Sequence, residues 1–238
     1  MSNFFSLDSP LYKFMSRLLQ MLKLNVLWLL TGGPVGVFVI EYILAVLGLS
    51  QYRFISFLPL IMVGPATVAV FSITLRMVDE QEGYIAKDFL NAYRDNLKKG
   101  MILGIIAVVA VYAIWLDFQF FNAAEKLHYN SLGYLIVGIV TTVFAFMHLI
   151  YAFPLQARYE NTVLHTLRNS FSISLRYLIK TVFMFIILAL LCAVFMWNHI
   201  TQFLGILIGP ASIMLAISGF AMQSFRLIEN DNKEREEK

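Results

Sequence analysis

The chain has 238 residues, of which 59% are hydrophobic and 14% are charged, with a formal net charge of +3. Soluble domains contain about 45–50% apolar and about 25% charged residues, so this composition argues against a soluble domain and predicts a membrane protein. The small positive charge does not favour nucleic-acid binding, and we expect no nucleic-acid partner.

The first predicted element is an amphipathic helix over residues 9–23, lying on the membrane surface. Ser9 is suited to cap a helix that begins with Pro10. Lys13 and Arg17 share one face. The opposite face carries the apolar residues Leu11, Met15, Leu18 and Leu22. The alternative is a frayed polar leader; a cleaved signal peptide does not fit the pattern.

Six apolar runs follow, and each is a candidate transmembrane helix because roughly 20 apolar residues cross a bilayer. They are Leu24–Leu49, Phe54–Val78, Met101–Leu116, Leu132–Phe153, Tyr177–Trp197 and Phe203–Met222. The third run is short for a span. We predict an all-α, polytopic membrane helix bundle of about six spans, forming one domain over residues 1–228. Residues 229–238 are predicted to be a solvated, charged cytoplasmic tail.

Lysine and arginine indicate the orientation, because positively charged loops stay in the cytoplasm. With the N-terminus inside, all but two of the 18 basic residues fall on the inside, the exceptions being Arg53 and Lys126. Both termini are therefore predicted to be cytoplasmic.

The charged segment Glu80–Gly100 separates the second and third runs and is predicted to be cytoplasmic. Its apolar residues recur every four positions, which predicts an amphipathic helix against the bilayer or against another helix: Ile85, Phe89, Tyr93 and Leu97. A similar row follows the fourth run: Tyr159, Val163, Leu167 and Phe171. "GPATVAVF" at Gly64 also resembles "GPASIMLA" at Gly209. Internal duplication with parallel repeats is a hypothesis that these similarities support.

Three Gly-Pro sites interrupt the apolar runs: Gly32-Gly33-Pro34, Gly64-Pro65 and Gly209-Pro210. Proline removes a helical hydrogen bond, and the freed carbonyl must find a partner in protein or water. Transporters often bind substrate at such breaks. The helix-break or substrate candidates are Pro34, Glu41, Gly64, Pro65, Thr67, Gly209, Pro210 and Ser212. Thr67 and Ser212 are suited to satisfy a freed carbonyl. The alternative is a kink that serves packing alone.

Two ionisable residues lie within the apolar runs. A charged Glu41 side chain in the bilayer costs free energy, so we expect it to face a cavity, to pair with Arg53 or to lie near the outer headgroups. His148 is expected to be a packed, hydrogen-bonded side chain rather than a proton carrier.

Motifs for catalysis are absent from the sequence. It contains no phosphate-binding G-x-x-x-x-G-K-[ST], no H-E-x-x-H and no G-x-S-x-G. The four histidines are dispersed, and the single cysteine, Cys192, has no partner for an intramolecular disulfide. We predict no enzymatic activity, no metal site and no cofactor.

Three stretches together resemble the YesL-like bacterial integral membrane proteins, a family with a domain of unknown function. They are "LNVLWLL" at Leu24, "GPATVAVFSITLRMVDEQEGYIAKDFLNAYRDNLKKG" from Gly64 and "FPLQARYENTVLHTLRNS" from Phe153. The resemblance implies a multi-pass protein of the cytoplasmic (plasma) membrane in a Gram-positive bacterium, in the gene neighbourhood of carbohydrate uptake. Residues 35–59 look inserted relative to the family pattern, which puts the first two spans in doubt.

Two functional hypotheses follow. In the first, the chain is an accessory protein of oligosaccharide uptake that docks on an ABC transporter permease or a two-component sensor kinase. The docking candidates are Glu82, Gly83, Tyr84, Phe89, Arg94, Arg158, Glu160 and Asn161. These residues could equally tie the two helical hairpins to each other. In the second, the chain is a small autonomous transporter with a mid-membrane cavity at the Gly-Pro breaks. The sequence leaves the oligomeric state open.

Overall fold

The computed structural model describes residues 9–81, 83–127 and 131–236. Over these ranges the chain is helical, without strands, which confirms the predicted all-α class. The helices are α1 (Pro10–Thr31), α2 (Pro34–Val46), a 3-10 helix (Ser50–Met62), α3 (Val63–Val78), α4 (Ile85–Asp95), α5 (Leu97–Lys126), α6 (Leu132–Leu149), α7 (Ala152–Arg158), α8 (Val163–Arg176), α9 (Leu178–Met196) and α10 (His199–Glu236).

Several of these helices could cross a membrane. Five apolar helical stretches in the described ranges are long enough, or six if the bent pair α1–α2 forms one span. The five are Leu58–Val78, Leu97–Lys126, Leu132–Arg158, Leu178–Met196 and His199–Glu234. A multi-pass membrane protein is therefore supported by length and composition, whereas the orientation of the termini remains a prediction.

The beginning of the chain differs from the predicted surface helix followed by a span at Leu24. Helix α1 starts at Pro10, capped by Ser9, and continues without interruption to Thr31. The break comes at Gly32-Gly33, where Gly33 has a φ of 97° and Pro34 begins α2. A positive φ suits glycine, which has no Cβ to clash with the backbone. The two helices meet there at 41°.

Two helices, α5 and α10, extend further toward their C-terminal ends than the sequence predicted. Helix α5 has 30 residues and reaches Lys126, so the predicted third span is longer than expected and most of the outer connection is helical. Helix α10 continues to Glu236 through the predicted tail. Both extensions lack glycine and proline, and they are rich in residues with high helix propensity.

Helix α3 lies at the centre of the molecule. In its apolar stretch 61% of the residues are buried inside the protein, against 11% for the stretches in α5 and α9. Outward-facing side chains such as Val109 and Ile179 leave α5 and α9 apolar on the surface, as a lipid-facing helix requires. The second predicted span is therefore enclosed largely by protein rather than by lipid.

Three glycines bring α3 and α5 into backbone contact. A Cβ on Gly64 would collide with the carbonyl oxygen of Gly100 and lie 2.8 Å from the Cα of Gly104. Gly100 and Gly104 are four residues apart and share one face of α5, the spacing by which small residues allow close helix approach in membranes. The backbones of α3 and α5 can come this close only because Gly64, Gly100 and Gly104 have no side chains.

Helix α10 runs beside α3 in the same direction. Thr74 and Ser218 share a hydrogen bond of 2.7 Å between their buried hydroxyls, and Arg226 further along α10 reaches Asp79 at the end of α3. This relation agrees with the parallel direction expected for the two Gly-Pro segments. Internal duplication remains a hypothesis.

A hydroxyl inserts into the helix at the junction of α6 and α7. The Tyr151 amide donates to Ser170 Oγ at 3.3 Å, and Ser170 donates to the Met147 carbonyl at 3.3 Å. This bridge replaces the direct bond from Tyr151 to Met147, which explains the interruption there. Ser174 also donates to Met147, at 2.8 Å, so α8 holds the break in place.

We predict that Gly64→Ala lowers the free energy of unfolding by about 1–3 kcal/mol, the usual cost of forcing extra volume into a packed contact. Gly219→Ala in α10 is the matched control, because a Cβ there meets no atom within 4 Å. That control should be neutral or slightly stabilising. Thermal unfolding of both purified variants in detergent checks the prediction; equal transition temperatures would contradict it.

Candidate functional site at the charged end

Charged side chains gather where α3, α7 and α10 meet, a region that we call the charged end. It consists of Asp79, Arg158, Arg226 and Glu229. The Asp79 carboxylate lies 2.5 Å from the Arg226 guanidinium and 3.6 Å from that of Arg158. Asp79 thus links three helices.

Glu229 completes this network. Arg158 donates from Nε to Oε1 at 3.2 Å and from Nη2 to Oε2 at 3.3 Å, in the forked geometry that suits a carboxylate. The Tyr159 hydroxyl donates to the same carboxylate at 2.5 Å. Burial, followed by the hydrogen bond to Glu229, raises the pKa of Tyr159 to about 12. Tyr159 therefore remains a neutral donor at physiological pH.

A second ion pair joins α8 to α10. Arg176 and Asp231 are 2.6 Å apart, and the Arg176 guanidinium also lies 5.7 Å from the ring centroid of Tyr177. Glu229 and Asp231 belong to the stretch predicted to be a solvated tail. In the structure α10 stays helical through this stretch and carries both carboxylates alongside basic residues of α7 and α8.

Two of the docking candidates face inward. Phe89 has no exposed surface and stacks on Tyr93, with ring centroids 6.2 Å apart. Arg158 is occupied by Asp79 and Glu229. These two residues therefore hold helices together, which is the role that they have in the alternative interpretation of the sequence.

Helix α4 explains why Phe89 is inside. Its apolar face packs against α1 and α3, so the predicted amphipathic helix lies on other helices rather than on the bilayer. The Tyr93 hydroxyl donates to the Thr31 carbonyl at 3.4 Å, and burial raises the pKa of Tyr93. Leu97, the last residue of the predicted apolar row, lies in α5 rather than in α4, because α4 ends at Asp95.

The other candidates remain at the surface. Tyr84 is 83% exposed, and Arg94 is exposed with no ion pair to any described residue. Gly83 and Glu160 are exposed too, whereas Asn161 is half-buried and donates its backbone N–H to the Tyr159 carbonyl at 3.0 Å. Glu82 lies outside the described residues.

Two open clefts flank the charged end. The first, of about 390 Å³, lies between α7, α8 and α10, with Phe225 and Ile173 among its apolar walls and Asn161 at its edge. The second, of about 990 Å³, lies between α1 and the α3–α4 connection. It is the more polar of the two and includes Gly83.

The first two Gly-Pro candidates serve as helix starts. Pro34 begins α2, and Pro65 is the third residue of α3, where an amide has no intrahelical partner to lose. Gly64, Pro65 and Thr67 are buried. Thr67 accepts a hydrogen bond from Trp28 Nε1 at 3.0 Å rather than binding a freed carbonyl.

Pro210 lies inside α10, which continues through it. Proline at this position leaves the Ile206 carbonyl without its helical donor. Asn25 Nδ2 supplies the replacement at 2.7 Å, and Asn25 is fully buried. The partner is thus Asn25 rather than the predicted Ser212, which is half-buried; Gly209 lies beside the Phe195 ring. One indication of this role was present in the sequence: Asn25 is the single amide side chain in the apolar stretch "LNVLWLL" that begins at Leu24.

Glu41 and His148 complete the sequence candidates. Glu41 lies in α2 and is half-buried; the predicted pairing with Arg53 involves a side chain outside the described part. His148 is hydrogen-bonded and packed, as predicted: Nδ1 is 2.9 Å from the Phe144 carbonyl, and its ring stacks on Phe171. Among the described residues no three His, Cys, Asp or Glu side chains could share a metal ion.

Comparison with protein families gives one match. A family model described as "Protein of unknown function, DUF624" matches residues 21–118. Comparisons with curated proteins and with solved structures find no match. The matched region covers less than half of the chain, but it contains α3, α4 and the glycine contact with α5.

We predict that the pair Arg158–Glu229 is energetically coupled. In a double-mutant cycle with Arg158→Ala and Glu229→Ala, the expected coupling is about 1 kcal/mol, the upper range for partly exposed pairs. The matched cycle, Arg176→Ala with Asp231→Ala, should give less, because those side chains are 49% and 44% exposed against 25% and 37%.

The measurement is thermal unfolding of each purified variant in the same detergent. A coupling near zero for Arg158–Glu229, or a larger one for Arg176–Asp231, would contradict this account of the charged end.

Proposed function

We propose that this chain is a membrane accessory protein of carbohydrate or oligosaccharide uptake that docks on its partner through the outer face of α4. This proposal rests on the different environments of the two sides of α4, one buried and one exposed. Phe89 fixes one side in the core, while Tyr84 is 83% exposed and Arg94 is exposed without an ion pair among the described residues.

The chemistry of this surface suits protein recognition. Tyrosine and arginine are the residue types, with tryptophan, that dominate binding energy at interfaces. Because α4 is already folded and anchored, a partner would not have to supply the cost of ordering it. A helix presented in this way can lie in a groove of another protein.

The class of partner rests on the resemblance of the sequence to the YesL-like family; the family model that matches residues 21–118 has no described function. That context favours an ABC transporter permease or a two-component sensor kinase in the bacterial cytoplasmic membrane. The distribution of basic residues would place α4 on the cytoplasmic side.

Autonomous transport is the second candidate, and one observation favours it. Asn25 Oδ1 is buried beside the Pro210 turn without a hydrogen-bond partner among the described residues, and a polar substrate group could bind there. The tight packing of Gly64 and the engagement of Thr67 by Trp28 leave less support for a substrate site at α3.

We expect Arg94→Glu together with Tyr84→Ala to reduce capture of the permease or kinase by about 10-fold or more, since interface anchors of these types commonly cost over 2 kcal/mol. The assay is co-purification from the native host, grown on complex glycans, through a C-terminal tag in mild detergent.

Arg168→Glu on α8 is the matched control, because Arg168 is exposed and has no ion pair within the described ranges. It should leave capture unchanged. Full capture by the α4 variant, at wild-type protein level in the membrane, would overturn the docking face. A clean preparation of wild type without either partner would shift the assignment toward transport.

A further inference from the structure

Helix α4 lies beside α3 over the whole length of α3. At one end of this pair, the Arg76 guanidinium lies 3.5 Å from the Asp88 carboxylate near the start of α4. At the other end, Gly64 packs on Gly100, which follows shortly after α4 ends. The two helices are therefore antiparallel neighbours, and the medium that covers the outer face of α4 lies at the same depth as α3.

The outer face of α4 is polar, with Asn91, Arg94 and Asp95 exposed on it. A charged side chain in the hydrocarbon layer of a bilayer costs free energy, which long lysine and arginine side chains reduce by reaching the headgroups. The shorter side chains of asparagine and aspartate cannot reach that far. This flank of α3 therefore fits water or headgroups rather than hydrocarbon.

Helix α8 carries a second polar flank. It runs beside α7, with Thr166 Oγ1 donating to Gln156 at 3.1 Å and the Tyr151 amide donating to Ser170 at 3.3 Å. Helix α7 in turn packs on α3. Arg168 lies between these two contacts of α8 and is exposed. The medium around Arg168 is thus also at the depth of α3.

Helix α1 supplies a third flank, of mixed character. Trp28 Nε1 donates to Thr67 of α3, and Lys23, little more than one turn earlier, is exposed. Phe14 and Leu19 are exposed as well. A face that combines apolar and charged side chains suits the headgroup region, where both kinds of group find partners.

Four helices, in contrast, have long runs without charged side chains. These are residues 101–116 of α5, 132–147 of α6, 181–196 of α9 and the first turns of α10. The run of α5 begins just past Gly100 and that of α9 just past Lys180, where α4 and α8 have ended. Most of the exposed side chains in these runs are apolar, as Val109 and Val140 illustrate. Each of the first three runs rises about 24 Å, which is close to the roughly 30 Å thickness of a hydrocarbon core.

Tyrosine and tryptophan mark the far ends of these runs. Trp115 lies at the end of the α5 run, Tyr134 near the start of the α6 run and Trp197 directly after the α9 run. All three are exposed, and these residue types are enriched where a membrane meets water. The uncharged runs therefore have the length and the end residues expected of transmembrane spans, whereas α3 lies among polar flanks.

The hairpin of α2 and the 3-10 helix does not add a complete crossing. Gly33 at its start lies against the Pro59 carbonyl near its end, so closely that a Cβ would not fit. The hairpin therefore leaves and returns at one depth. Helix α2 rises about 20 Å, which is less than the roughly 30 Å of a hydrocarbon core.

We propose that the hydrocarbon layer of the bilayer surrounds the four uncharged runs and the α2 hairpin, and that α3 lies outside this layer, among headgroups and water. The chain then crosses the bilayer four times, through α5, α6, α9 and α10, with both termini on one side. Helix α3 has the hydropathy of a span because it is the core of the body that α1, α4, α7 and the end of α10 form around it. This inference goes beyond the proposed function and requires no partner of α4.

The test measures how fast a water-soluble maleimide modifies single cysteines in the full chain, held in lipid nanodiscs that are open to water on both faces. Wild type supplies the lipid-facing reference, because its one cysteine, Cys192, is exposed within the uncharged run of α9. Three variants place a thiol at exposed positions on the three flanks of α3: Lys23→Cys, Asn91→Cys and Ser172→Cys, each combined with Cys192→Ser. Labelling after unfolding in a denaturing detergent gives the reactivity of each free thiol for normalisation.

We expect each flank variant to react about 50-fold faster than Cys192, because maleimide attacks the thiolate and an apolar medium disfavours that charge. Val109→Cys in α5, again combined with Cys192→Ser, should be as slow as Cys192 in wild type. Slow reaction at any of the three flank positions would place lipid on that flank of α3 and overturn the proposal. Fast reaction of Cys192 or of Val109→Cys would overturn it too, because lipid would then not cover the uncharged runs.

Discussion

The backbone contact between α3 and α5 constrains the other helices around it. Gly64 and Gly100 allow the two helices to approach until no Cβ fits between them. In lipid, where apolar side chains gain little by leaving the surroundings, such close packing is a main source of helix association. The contact places α3 inside the protein, so that α1, α4, α7 and α10 can pack around it. It also explains how a helix as apolar as a transmembrane span can form a protein core.

Hydrogen bonds and ion pairs determine the register of the helices around α3. Apolar faces alone leave register weakly specified, whereas a buried polar group must meet its partner. Thr74 with Ser218 aligns α3 and α10, and Asn25 with the Ile206 carbonyl aligns α1 and α10. At the charged end, Asp79 and Glu229 connect α3 and α10 to Arg158 of α7. On the outer face of α4, Tyr84 and Arg94 are exposed and make no ion pair with a described residue, and this is the surface on which we propose docking.

The sequence predicts much of the fold because hydropathy and periodicity are local signals. The all-α class, the span of α9 and the amphipathic α4 follow from them. The continuity of α1 through Leu24 could not be predicted, because a change from mixed to apolar composition does not end a helix. The sequence left two roles open for Phe89 and Arg158, because the choice between them depends on which distant helices lie opposite. The Gly100-x-x-x-Gly104 spacing was a readable signal for the α5 contact, whereas the partner Gly64 requires the tertiary structure.

The central claim is that α3 is a core helix enclosed by protein and aligned with α10. Cross-linking tests it most directly, in a variant with Thr74→Cys and Ser218→Cys in a Cys192→Ser background. The two hydroxyl oxygens are 2.7 Å apart, so the substituted sulfurs would face each other, and we expect them to form a disulfide under mild oxidation. The account predicts nearly complete formation of the 74–218 link, detected by mass spectrometry of the digested protein, and none in the Thr74→Cys single variant. A double variant whose thiols stay free, or react fully with a lipid-soluble maleimide, would contradict it.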